Sequence, residues 1–248
     1  QTLKAKIIMT STYETGHAKN VDNLGLLIAN IASYGERYKP TNPALLLEAL
    51  KKMEADGRAA ILAVNNAMPT YSRATIERDS AFGPLGPLVT RSLNALRASS
   101  SSEQTDEAAT AIVRKIRGNR TTSAKAAAAT DTKVATVSTS QQSYDSVLDS
   151  YERYVQYLAA TPEYAPNEED IKLPVLQALA VELRAKNTAC NNAKVAIDNA
   201  RMARNRALYT PLTGLVDVAL DAKTYIKSLF GATSPEYKLV GKIDFTKA

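Results

Sequence analysis

The sequence predicts an all-α protein. The expected architecture is an internally duplicated helical bundle: two copies of a three-long-helix unit, each with a short terminal helix, related by a pseudo-twofold axis. Three observations lead there. The 248-residue chain is rich in alanine, holds only 10 glycines and has no tryptophan, a composition that suits helix over sheet. Apolar residues recur at steps of three and four, which places them on one face of a helix. The order of motifs in the first half of the chain returns about 127 residues later, as a repeat would require.

The elements follow in order. Residues 1–10 alternate weakly and suggest a short extended arm. Val21, Leu24, Ile28 and Ile31, with Leu27 beside them, make the face of a first helix that stops near Tyr34-Gly35. After the turn Tyr38-Lys39-Pro40, Asn42 is placed to cap a long second helix with Pro43 at its first position. Its seam reads Leu46, Leu50, Met53, Gly57, Ala60, Val64, Ala67 and Tyr71, an a/d pattern that Pro69 should kink or end. Beyond the Gly83-Pro84 elbow, Leu85, Leu88, Leu93 and Leu96 mark a third helix. Thr105 or Asp106 should cap a fourth with a basic last turn.

After an Ala/Thr/Ser/Lys stretch at 119–139, read as a flexible linker, the order repeats. Val147, Tyr151, Tyr154 and Leu158 answer the first helix, and Tyr164-Ala165-Pro166 answers Tyr38-Lys39-Pro40. Leu176, Leu179, Leu183, Cys190, Ala193, Ile197 and Ala200 answer the long seam. Pro211, with Thr210 as expected N-cap, answers Pro84. Leu215, Val218, Ala222, Tyr225, Ile226 and Leu229 form the next helix, and Val240-Gly241-Lys242-Ile243 answers Val113-Arg114-Lys115-Ile116. The expected division is a first repeat at 1–118, the linker, and a second repeat at 140–248, with the repeats packed into one body.

Lys4-Ala5-Lys6-Ile7, Ser11-Thr12-Tyr13, Thr15-Gly16-His17-Ala18-Lys19-Asn20 and Phe230-Gly231-Ala232-Thr233-Ser234-Pro235-Glu236-Tyr237 resemble a family of duplicated helical-bundle proteins of Bacteroidota. No activity is assigned to that family, so the resemblance implies a fold and no site residues.

Chemistry-bearing residues are few. Cys190 is the only cysteine and His17 the only histidine. A disulfide within the chain is therefore excluded, and a zinc site is disfavoured. His17 reads as part of a helix start rather than as a catalytic base. Glu168-Glu169-Asp170 suits the positive end of a helix better than a metal. Gly83-Pro84-Leu85-Gly86-Pro87 is no phosphate loop, since its prolines remove amide donors and no Gly-Lys-Ser/Thr follows. No catalytic residue, cofactor or metal is expected, and the protein is read as not an enzyme.

The net charge of +6 leaves basic clusters as the one surface signal. Arg114, Lys115, Arg117 and Arg120, with Arg201 and Arg204, are the candidate contacts for an anion or nucleic acid. The leading expectation is a structural or protein-interaction module that self-associates. The alternative is a basic nucleic-acid-associated protein using the 114–120 segment and the cationic linker. No run reaches the about 18 apolar residues of a membrane span. A cytoplasmic setting is expected, although a start at Gln1 fits removal of a methionine or of a leader.

Overall fold

The computed structural model describes residues 13–118 and 143–247, with side chains from residue 16 onward. The expected N-terminal arm and linker lie outside the described residues, which are helical and contain no strand. The helices are α1 (Tyr13–Ser33), α2 (Leu47–Phe82), α3 (Leu85–Arg97), α4 (Glu103–Arg117), α5 (Tyr144–Ala159), α6 (Leu173–Tyr209), α7 (Leu215–Phe230) and α8 (Pro235–Gly241). Short 3-10 turns lie at Gly35–Arg37, Pro43–Leu45 and Glu169–Ile171.

The apolar faces form as their spacing predicts. Val21, Leu24, Leu27, Ile28 and Ile31 of α1 are buried, as are Leu148, Tyr151, Tyr154, Val155 and Leu158 of α5. Leu50, Gly57 and Val64 are buried on α2, and Leu176, Leu183, Cys190 and Ile197 on α6. Leu46, expected on the α2 seam, is 47% exposed.

Four local expectations are corrected. Asn42 does cap, accepting from the Ala44 amide at 3.0 Å, but it caps the 3-10 turn. Leu46 then adopts an extended ψ of 144°, so α2 begins at Leu47. Pro69 neither ends nor interrupts α2. It is exposed, as is Asn65 one turn back, so the carbonyl that loses its amide partner can hydrogen-bond to water. The cap of α4 is Ser102, whose Oγ accepts from the Thr105 amide at 3.2 Å.

The two elbows also differ. α3 starts two residues after Gly83, with Pro84 as N-cap, whereas Thr210 belongs to the end of α6, its hydroxyl donating to the Arg206 carbonyl. Gly214 is the N-cap of α7, and Leu212 between them holds a φ of +67°. A leucine in the left-handed region is strained. Its amide is held by Asp217 Oδ2 at 2.9 Å.

The chain divides into two compact units, 13–70 with 195–247 and 71–118 with 143–194. Each unit thus draws one segment from each half of the chain, and α2 and α6 each contribute to both. In the first unit α1 packs on α7, and α7 on α8 and on the Pro43–Leu45 turn. The core joins α1, Leu50, Leu208, and Leu215, Val218, Ala222 and Ile226 of α7. In the second unit α4 lies along α3 and α5, and α3 meets the Glu169–Ile171 turn. Leu85, Val89, Leu93 and Leu96 pack there with Tyr151, Tyr154, Leu176 and Leu183.

Gly57 lies at a close approach in the first core. A Cβ there would stand 3.1 Å from both Leu215 Cδ1 and Val21 Cγ2. Gly57→Leu is therefore expected to cost about 1–3 kcal/mol through overpacking. Gly86→Ala in α3, where nothing lies within 4 Å, should stabilise by about 0.5–1 kcal/mol. Urea unfolding of the two variants checks the pair of signs.

The second core is rich in hydroxyl groups, each satisfied. Tyr154 and Ser92 share a 2.9 Å hydrogen bond, Tyr151 donates to the Leu176 carbonyl at 3.1 Å and Tyr164 to that of Ile171 at 2.6 Å. Burial pushes the phenols of Tyr154 and, in the first unit, Tyr38 up to about 12. It raises Tyr151 and Tyr164 as well, with neighbouring tyrosines adding to the effect. A phenol whose folded pKa exceeds its unfolded value near 10 contributes stability in full below about pH 10. That contribution is lost as pH rises through about 12. Alkaline titration followed by phenolate absorbance and circular dichroism should show these tyrosines ionising together with loss of helix.

Candidate functional site

Buried polar side chains identify where an apolar core has been interrupted. Two of them, His17 and Asn20, lie on the inward face of α1, in line with Val21, Leu24 and Ile28. His17 is thus not at a helix start. It sits a turn inside α1, with Nδ1 2.6 Å from the hydroxyl of Tyr209 and the rings 5.4 Å apart.

Asn20, only 2% exposed, uses both ends of its carboxamide on the main chain of one residue. Nδ2 donates to the Thr246 carbonyl at 2.9 Å, and Oδ1 accepts from the Thr246 amide at 3.0 Å. Its second Nδ2 hydrogen points to Tyr209 Oη at 3.3 Å. One turn along α1, Asn23 donates to the Asp244 carbonyl at 2.6 Å. From α7, Lys223 donates to the Ile243 and Gly241 carbonyls at 2.6 and 3.3 Å. Lys247 closes the segment onto Asp217 at 2.7 Å. That lysine, and the Leu212 amide, hold the Asp217 carboxyl below the usual carboxylate range. The chain segment 243–247 is therefore held mainly through its backbone, with Ile243 buried and Phe245 packed on the core.

The residues singled out from sequence fall elsewhere. Arg114, Lys115 and Arg117 are exposed on the last turn of α4, in the second unit. Arg120 lies outside the described residues. Arg201 and Arg204 belong to the first unit. Arg201 is half-buried and pairs with Asp198 at 3.6 Å, while Arg204 is buried and donates to Asn205 Oδ1 at 2.9 and 3.1 Å.

Arg78, one turn before the end of α2, stacks on the Tyr144 ring at 3.9 Å, and Tyr144 in turn donates to Asp79 at 2.6 Å and meets Phe82 edge-on at 4.9 Å.

The acidic run is likewise tied up in structure. Glu168 precedes a 3-10 turn rather than an α-helix. Asp170 accepts both Nη groups of Arg91, which holds its carboxyl low, and Glu169 pairs with Lys172 at 2.5 Å. Cys190 is buried with its Sγ 3.6 Å from Thr75 Oγ1.

Among the described residues no group of three His, Cys, Asp or Glu side chains could hold a metal, and no helix is long and apolar enough to cross a membrane. A shallow depression of about 200 Å³ between α5 and α6, lined by Glu152, Val155, Gln156, Ala159, Gln177 and Ala180, is smaller than the about 300 Å³ from which small-molecule sites begin. Compared with protein-family models, with curated proteins and with solved structures, the chain matches none.

Proposed function

We propose that this chain is a duplicated helical bundle whose work is protein association rather than chemistry, and that its partner is a second copy of itself. The observation that carries the association is the outer surface of α6. In the second unit that helix exposes Ala178, Val181, Ala185, Thr188 and Asn192; in the first it exposes Val195, Asn199 and Met202. Val181, Val195 and Met202 are 71%, 59% and 60% exposed. Steps of three and four, with short side chains between the larger apolar ones, suit close packing of a second helix. Asn192 lies among the exposed positions of the second unit and Asn199 among those of the first, and an asparagine among apolar positions fixes the register of a helix pair at some cost in stability. A non-enzymatic role is favoured because the single histidine and single cysteine are both buried.

The duplication, and the twofold pairing of copies expected from it, belong to this proposal. Several features support it. Tyr38 and Tyr164 each donate to a carbonyl seven residues on, those of Leu45 and Ile171. Each of those residues ends a 3-10 turn, followed by an extended residue and a long helix. Leu50, Gly57 and Val64 on α2 answer Leu176, Leu183 and Cys190 on α6, all buried. Past the elbows Leu85, Val89, Ser92 and Leu96 answer Leu215, Ala219, Ala222 and Ile226. Ser102 and Ser234 cap the next helices alike.

A second reading rests on the three exposed cations Arg114, Lys115 and Arg117 at the end of α4. They would engage nucleic-acid phosphates through contacts that weaken steeply with salt.

Sedimentation velocity over a range of concentrations tests the first reading. Self-association is expected, together with its loss in Val181→Lys/Val195→Lys/Met202→Lys at unchanged helicity. A monomer at every concentration would overturn it. A concentration-independent monomer that shifts labelled DNA or RNA at low salt would favour the second reading.

A further inference from the structure

We propose that the first unit contains a binding site for an extended peptide, formed by α1 and α7, which residues 243–247 of the chain itself occupy, following the helical C-cap Lys242. This is independent of the self-association proposed above. Four features distinguish the site from ordinary packing of a chain segment. Apart from the Lys247–Asp217 pair, its polar contacts fall on the backbone: Asn20 takes both the amide and the carbonyl of Thr246, Asn23 the carbonyl of Asp244, and Lys223 the carbonyl of Ile243. Side-chain amides and an ammonium that read main-chain groups accept any sequence in an extended conformation, as an open sheet edge does.

Register comes from two apolar residues spaced by one, Ile243 and Phe245, which face the core while Asp244 and Thr246 are exposed. This is the period-two pattern of an extended chain on an apolar surface. The donor and acceptor groups are also positioned from beneath. Asn20 is buried and its amide is fixed by Tyr209, which His17 holds in turn, so the recognising group is pre-organised. The direction is defined as well, because the segment reaches Asn23 before Asn20 and so runs antiparallel to α1.

The ligand class follows from these contacts. It is an extended peptide bearing aliphatic and aromatic side chains two residues apart, followed by a cation for Asp217. The chain's own segment competes at the high effective concentration of a tethered ligand, so the site opens to a free peptide only when that segment is loosened.

The experiment uses the full chain and a fluorescent peptide spanning residues 243–247. In Ile243→Ser/Phe245→Ser, whose own segment has lost its anchors, saturable binding by anisotropy is expected, with affinity at least about tenfold above that of the wild type. Adding Asn20→Ala should weaken binding about tenfold or more through loss of two backbone hydrogen bonds. A peptide carrying serines at the two apolar positions should not bind. Absence of saturable binding to the folded variant, or equal binding of the serine peptide, overturns the proposal and leaves the segment a structural strap. Should circular dichroism show that the double variant is unfolded, Phe245→Ser alone, which removes the half-buried anchor and leaves Ile243 in the core, replaces it with the same outcomes.

Discussion

The architecture depends on two helices being longer than any one core can cover. At about 1.5 Å per residue, α2 with 36 residues and α6 with 37 each exceed the roughly 30 Å of a small domain. Their a/d seams must therefore be buried twice, in two separate cores. Leu50 and Gly57 serve the first core and Phe82 the second; Leu176 and Leu183 serve the second, and Leu208 the first. Each core so closed contains a segment from either half of the chain. Neither half holds a complete core, and the stability of each unit is a property of the two halves together.

The two cores are filled by unlike residues. Gly57 of α2 and Leu183 of α6 are both buried, one against the first core and the other in the second. The first core spends its volume on Leu215, Val21 and Leu208 around the glycine. The second has the leucine itself and surrounds it with the tyrosines of α5 and the Tyr164 elbow. The tyrosine-rich core satisfies its hydroxyls on backbone carbonyls and Ser92, so its polar atoms cost little.

Periodicity made the helix faces legible: every apolar position named on α1 and on the α6 seam is buried or half-buried. What periodicity cannot carry is the detail of helix ends, where a single dihedral decides. The extended ψ of Leu46 and Lys172 moves two helix starts, and the exposure of Asn65 and Pro69 lets water satisfy the carbonyl that loses its amide while α2 continues. The backbone contacts of residues 243–247 escaped notice because Asn20 and Thr246 are 226 residues apart and leave no local pattern. One signal was present. His17 and Asn20 fall on the stripe that Val21, Leu24 and Ile28 define, and a polar residue on an apolar stripe requires a buried partner. Charge is visible in sequence and burial is not: of the basic candidates, Arg204 is buried whereas Arg114, Lys115 and Arg117 are exposed.

Native-state hydrogen exchange on Leu24→Ala tests the central claim, that each core is shared by both halves of the chain. Removing this fully buried side chain should destabilise the first unit by about 2–5 kcal/mol. The account predicts faster exchange over 16–64 and 197–240 together, with 85–116 and 148–183 unchanged. Acceleration confined to 16–116, with 148–240 left protected, would contradict it.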